Sequence, residues 1–232
     1  MAIFPDDLEP DETGLVALGG ELHPEILIEA YTKGIFPWTG AHPIPWYSPD
    51  PRMVLRPQSI HISRSMKKLL RRERFEVRFD SCFPEVMRRC KGIKRRHERG
   101  TWITPNMLVA YGKLHEMGVT HSVETFENGK LVGGLYGVAI GRAFFGESMF
   151  AAVDNASKIA LISLCRRLAT RRYLLVDCQQ VTDHLTFMGG SPMPRRQFLD
   201  LLGRAVRGPS QWEAEPDPLL DPLLAAGEPS GS

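Results

Sequence analysis

The chain has 232 residues, 43% hydrophobic and 24% charged, with 21 Gly, 18 Pro and a formal net charge of +2. This composition excludes a coiled coil, a collagen-like fibre and a wholly disordered chain, and the length suits one large domain with a small appendage. The longest nearly uncharged apolar run, 131–141, is glycine-rich and falls well short of the roughly 20 residues that a membrane-spanning helix needs.

Residues 1–13 are acidic and proline-broken, a loosely held arm and neither a signal nor a transit peptide. The expectation is therefore a cytoplasmic chain with no membrane partner. A short apolar piece (14–20) precedes a predicted helix over 21–33, with Ile26, Leu27, Ala30 and Tyr31 on one face and Gly34 at its end. Five prolines in 35–52 exclude a long regular element there. A strand at 53–55 follows, and the domain boundary is expected near it.

Next come a basic helix at 63–72 capped by Ser63, a strand at 75–80 and a helix at 83–90. Thr104 and Pro105 start a helix whose apolar face carries Leu108, Tyr111, Leu114 and Met117. Alternation over 121–127, the turn pair Asn128-Gly129 and the run 130–140 predict a hairpin, followed by a third strand at 143–150. Asn155 is read as the cap of a helix to 169, before a strand at 173–178 and helices at 182–188 and 195–206. The tail, rich in Pro, Gly and acid, is expected to be partly mobile. The fold class is α+β: a small N-terminal domain (1–52), a mixed sheet flanked by helices (53–207) and a C-terminal extension (208–232).

Charge is unevenly distributed. Residues 60–100 hold 14 Lys/Arg against 5 Asp/Glu, a net +9, while the rest of the chain carries −7. That excess points to phosphate attraction, without any signature for reading base sequence. The four cysteines form no CxxC pair and no zinc-type spacing, so they read as small buried hydrophobes and no metal is expected. Phosphate-loop, nucleophile-elbow, metalloprotease and dinucleotide-binding motifs are absent from the sequence. What remains are polar residues in apolar surroundings: Glu147 among aromatics, and Asp177 with Gln179 at the end of a strand. A structural ion pair and a loop cap are the plain alternatives for these. Trp38, Trp46 and Trp102 sit in loop-like sequence.

Several blocks occur in order with characteristic spacing: GLVALGG (14–20), KGIFPW (33–38), WYSPDPR (46–52), HISRS (61–65), TWIT (101–104), GGLYGVAIG (133–141), FFGESMF (144–150), NASKIAL (155–161) and VDCQ (176–179). Over about 14–207 the chain resembles the leucyl/phenylalanyl-tRNA–protein transferases. The resemblance implies an acetyltransferase-like (GNAT-type) second domain, and transfer of Leu, Phe or, less well, Met from aminoacyl-tRNA to proteins with N-terminal Arg or Lys. The product carries an N-terminal degradation signal. No cofactor is implied, because the aminoacyl ester is already activated.

Carried over by position, the resemblance implies a side-chain pocket formed by Trp38, Trp102, Leu135 and Phe144, with Leu164 and Leu168 deeper. The best-known members have Met, Phe and Phe where this chain has Leu135, Leu164 and Leu168, which keeps the pocket apolar and alters its size. Asp177 and Gln179 take the catalytic positions, with Gln179 accepting a hydrogen bond from the attacking amine and Asp177 orienting it. Glu147, assisted by Asp177, would attract the cationic acceptor. Arg71, Arg72, Arg74, Lys91, Lys94, Arg95 and Arg96 are the expected tRNA phosphate contacts, and the working unit is expected to be a monomer.

Three other readings compete. A leucine transferase for acidic N-termini would need cations where Glu147 and Asp177 stand. An acetyl-coenzyme A transferase would need an Arg/Gln-x-x-Gly-x-Gly/Ala loop, which the sequence lacks. A noncatalytic RNA-binding module would explain the basic segment and leave the polar trio without a purpose.

Overall fold

The computed structural model describes residues 3–5, 8–93 and 102–222. Lys94, Arg95 and Arg96 lie outside the described residues. In the N-terminal part, β1 (Leu15–Leu18) precedes α1 (Pro24–Thr32), whose proline occupies the first turn, where no backbone donor is lost. The proline-rich stretch yields only β2 (Phe36–Pro37) and β3 (Pro45–Tyr47), which complete a three-stranded antiparallel sheet in the order β1-β3-β2.

β4 (Arg52–Leu55) belongs to the larger sheet. After it come α2 (Arg64–Leu70), β5 (Glu76–Phe79), α3 (Phe83–Lys91) and α4 (Pro105–Glu116). Ser63 and Thr104 cap α2 and α4 by accepting from the amides of Met66 and Met107. β6 (Thr120–Glu127), β7 (Lys130–Ile140) and β8 (Ala143–Ala151) form a meander, and its first turn, Asn128-Gly129, has both residues at positive φ, as a two-residue hairpin requires. The chain continues through α5 (Ala156–Thr170), β9 (Leu175–Gln179), α6 (Asp183–Phe187), β10 (Ser191–Met193) and α7 (Arg195–Ala205). The sheet order is β10-β4-β9-β8-β7-β6-β5; β8 and β9 run parallel, and the other neighbours are antiparallel.

Strand periodicity sorts the core into two layers. Tyr136, Val138, Phe145 and Leu175 pack with α1, α3, α4 and α7 on one face, whereas Leu135, Ala139, Phe144 and Val176 pack with α5 on the other. Two glycines of β7 make that packing close. A Cβ on Gly133 would stand 2.5 Å from the Ala156 Cβ, and one on Gly137 would stand 2.2 Å from the Phe145 carbonyl and 2.5 Å from the Phe144 ring. Among the described residues, no helix is long and apolar enough to cross a membrane.

Several local expectations are corrected. β6 was expected to alternate, yet Thr120 through Thr125 are all buried, because helices cover both faces of the sheet there. The buried stripe of α4 is Met107, Ala110, Tyr111 and Leu114, while Met117 lies beyond the helix end and is exposed. Asn155 adopts the left-handed conformation, and its side chain makes no capping bond. Nor did the sequence reading anticipate β10, a proline-containing edge strand on β4.

The described part of the C-terminal extension is packed down. Trp212 is buried, and three acidic residues pair with arginines at the end of α5: Asp221 with Arg166 (2.6 Å), Glu213 with Arg167 (3.3 Å) and Asp217 with Arg172 (2.9 Å).

Candidate active site

β8 and β9 pair only over 143–145 against 175–177. Beyond that point a cavity of about 230 Å³ opens between them, below the roughly 300–1,000 Å³ of drug-sized sites and on the scale of one amino-acid residue. Trp38, Trp102, Leu135, Phe144, Leu161 and Leu164 supply its apolar wall, and Glu147 and Gln179 its polar one. The Thr39 hydroxyl donates to the Trp102 carbonyl (3.0 Å), joining the two loops that bring the tryptophans together. Leu168 is fully buried in the apolar cluster beneath this wall.

Glu147 is buried among donors. Its Oε1 accepts from the Tyr31 hydroxyl (2.7 Å) and the Gln179 amide nitrogen (2.9 Å), and its Oε2 accepts from the Tyr111 hydroxyl (3.2 Å). Burial pushes the Glu147 carboxyl up to about 7, even though these hydrogen bonds pull the other way. Burial and the nearby carboxylate also hold both tyrosines well above the ordinary phenol range. The two hydroxyls lie within hydrogen-bonding distance of one another as well. Two phenolic protons cannot serve three oxygen–oxygen contacts; when Glu147 is protonated the third is served only if its carboxyl donates to one tyrosine, whose hydroxyl then turns to the other.

Gln179 reaches this group from a left-handed backbone position, φ +64. That conformation is costly for a residue with a side chain, and an Asx-type bond from its own amide to Asp177 Oδ1 (2.9 Å) holds it. With its amide nitrogen facing Glu147, the Gln179 carbonyl oxygen is turned away from the carboxyl.

Asp177 differs from expectation. In an extended strand residues 177 and 179 would point to the same side, but the positive φ at 179 ends the extended repeat and the two side chains make separate contacts. Asp177 is fully buried in a bidentate pair with Arg52, Nε to Oδ1 at 2.8 Å and Nη2 to Oδ2 at 2.7 Å. The Arg52 guanidinium is held between the rings of Phe36 (4.8 Å) and Phe198 (4.6 Å). Asp177 thus exposes no surface to the cavity, and its link to Gln179 runs through the Gln179 main-chain amide.

Arg52, Tyr31 and Tyr111 escaped the sequence reading. In the sequence both tyrosines lie on apolar helix faces, and the signal that marks them is that a buried phenol needs a hydrogen-bond partner. Of the basic residues, Arg71 and Arg72 are exposed just after α2, Lys91 is half-buried at the end of α3, and Arg74 pairs with Glu127. Among the described residues, no group of three or more His, Cys, Asp or Glu side chains could hold a metal ion.

The family model described as leucyl/phenylalanyl-tRNA protein transferase matches residues 54–203, and the model of that family's N-terminal domain matches 20–50. A leucyl/phenylalanyl-tRNA–protein transferase of Nitrosomonas eutropha is 53% identical over 205 residues, covering 88% of this chain and 86% of that one. One from Myxococcus xanthus is 47% identical over 210 residues, covering 90% of each. Among solved structures, a conserved protein of unknown function from Bacteroides thetaiotaomicron aligns over 69% of this chain and 57% of that one, with a TM-score of 0.40 and 14% identity, too distant to argue a shared fold.

Proposed function

The chain belongs to the leucyl/phenylalanyl-tRNA protein transferase family, and from that premise we propose that it moves leucine, phenylalanine or, less well, methionine from aminoacyl-tRNA to the α-amine of cytoplasmic proteins beginning with Arg or Lys. The observation that carries the reading is the cavity at the β8–β9 divergence: an apolar slot for one side chain, flanked by the Glu147–Gln179 pair.

In the reaction the amine nitrogen attacks the ester carbonyl carbon, and the carbonyl oxygen becomes an oxyanion. Collapse breaks the bond to the ribose oxygen, which takes up the proton released by the amine. An α-amine has a pKa of about 7.7–8, so a useful fraction is neutral near pH 7 and no strong base is required. Orientation supplies the larger share of the acceleration. The Gln179 carbonyl accepts a hydrogen bond from the attacking amine, and Asp177 fixes Gln179 through its backbone amide. Glu147 draws in the cationic first residue of the acceptor, whose charge favours the ionised carboxylate. Trp38, Trp102, Leu135, Phe144 and Leu164 enclose the esterified side chain, with Leu168 behind them.

An acetyltransferase-like arrangement of the second domain is part of this proposal, supported by a single parallel strand pair that separates at the site. The division into 1–52, 53–207 and 208–232 is supported by the small sheet lying within 15–47 and the larger one beginning at Arg52. Arg71, Arg72, Arg74 and Lys91, together with Lys94, Arg95 and Arg96 outside the described residues, are proposed to meet the tRNA backbone of a monomeric enzyme.

The deciding experiment is transfer of labelled leucine from leucyl-tRNA to an Arg-initiated peptide, with an Asp-initiated peptide alongside. Transfer confined to the Arg peptide is the expected result. Transfer confined to the Asp peptide, or to neither, would overturn the reading.

A further inference from the structure

We propose that Trp212, which lies outside the 54–203 segment matched by the family model, is a positioning residue for Phe144 and so sets which donor side chain the cavity prefers. The inference rests on the aminoacyl-transfer reading above. Phe144 forms part of the cavity wall, and its ring lies nearly parallel to the Trp212 indole, with centroids 5.9 Å apart and planes at 23°. Trp212 therefore stands one ring behind the surface that a bound side chain would touch.

The indole is fixed on several sides. Its Nε1–H donates to Asp80 Oδ2 (3.0 Å), its face stacks on His121 (4.1 Å), and the Arg167 guanidinium lies 4.5 Å from its centre. Asp80 is itself held, accepting from the Ser122 amide (2.8 Å) and pairing with His121 (2.9 Å). These partners come from β6, from the end of β5 and from α5, so the indole is a wedge whose position three elements share. On β7, Gly137 admits the Phe144 ring because it has no side chain to occupy the same space. Phe144 thus fits between a glycine gap and a braced indole, and the depth of the cavity follows from where that ring rests.

Removing the indole would leave a void that its neighbours refill only in part. Phe144 would then gain freedom to withdraw into the void, deepening the slot. A deeper apolar slot favours phenylalanine over leucine. Size discrimination in such pockets spans about 10- to 200-fold, so a partial relaxation of the wall is expected to change the ratio by about 5-fold or more.

The test uses the full chain and the variants Trp212→Phe and Trp212→Ala, with leucine and phenylalanine charged onto the same tRNA body and an Arg-initiated peptide as acceptor. The readout is the ratio of kcat/KM for phenylalanine to that for leucine. This ratio does not depend on the fraction of folded enzyme, so simple destabilisation leaves it unchanged. The expected result is a rise of about 5-fold or more in Trp212→Ala, with Trp212→Phe between it and the wild type. If Trp212→Ala fails to fold, Trp212→Phe and Trp212→Leu carry the comparison. A ratio within 2-fold of wild type in the folded variants, or a shift toward leucine, overturns the inference and leaves the transfer reading standing. Failure of the wild-type chain to transfer from either donor overturns both.

Discussion

Arg52 and Asp177 meet through two parallel hydrogen bonds of 2.8 and 2.7 Å, with neither side chain exposed to solvent. Removing one partner of such a pair leaves a buried charge uncompensated, at a cost of about 3–5 kcal/mol. Asp177→Ala is therefore expected to show a large loss in urea-unfolding free energy along with its loss of activity. The double variant Arg52→Met/Asp177→Leu should recover much of the stability and little of the turnover, because the Gln179 amide has still lost its acceptor. Equal recovery of both quantities would remove Asp177 from the positioning of Gln179.

Glu147 makes stability depend on pH. Its folded pKa, about 7, lies above the ordinary 4.5, so the folded state binds the proton more tightly than the unfolded chain does. The stabilisation is complete below about 4.5 and is lost as pH rises through about 7, with a span on the order of 3 kcal/mol. Glu147→Gln keeps the shape without the titration. The difference in unfolding free energy between Glu147→Gln and wild type should therefore widen from pH 4.5 to 8, and a difference independent of pH would refute the assignment.

The tyrosines tune the same carboxyl. Tyr31→Phe deletes a hydroxyl that donates at 2.7 Å and so disfavours the ionised form of Glu147 further. The expected signature is a higher KM for the Arg-initiated peptide, with the acid limb of the kcat/KM profile shifted to higher pH and donor affinity unchanged. Tyr111→Phe should do the same more weakly, given its longer contact of 3.2 Å.

Phosphate attraction by the basic segment has a thermodynamic mark. Arg71→Ala and Arg72→Ala should each weaken tRNA binding with little regard to its sequence, and should reduce the slope of log K against log salt by about 0.7–0.9 per lost contact. Arg74 already pairs with Glu127, so its removal should change the slope less. Titrations of aminoacyl-tRNA across several salt concentrations decide this.

Most regular elements could be read from the chain, because proline, glycine and capping residues mark their ends; Ser63, Thr104 and Asn128-Gly129 behave as their chemistry dictates. Glu147 and Gln179 stood out as polar residues that apolar surroundings do not explain. Arg52 and Tyr31 did not, since the partners that give them meaning lie 125 and 116 residues away in sequence. Trp212 was hidden for the opposite reason: a tail dense in proline and acid suggests weak attachment, and only the fold shows the arginines in and just after α5 that hold it.

The tight fit of β7 limits how this cavity can diversify. With Gly133 pressed on α5 and Gly137 on Phe144, neither site tolerates even an alanine without displacing its neighbours. Drift toward a new donor then falls to volume exchanges at Leu135, Leu161 and Leu164 and to the support that Trp212 gives Phe144. Descendants of this chain that accept a bulkier amino acid should differ at these positions and retain both glycines.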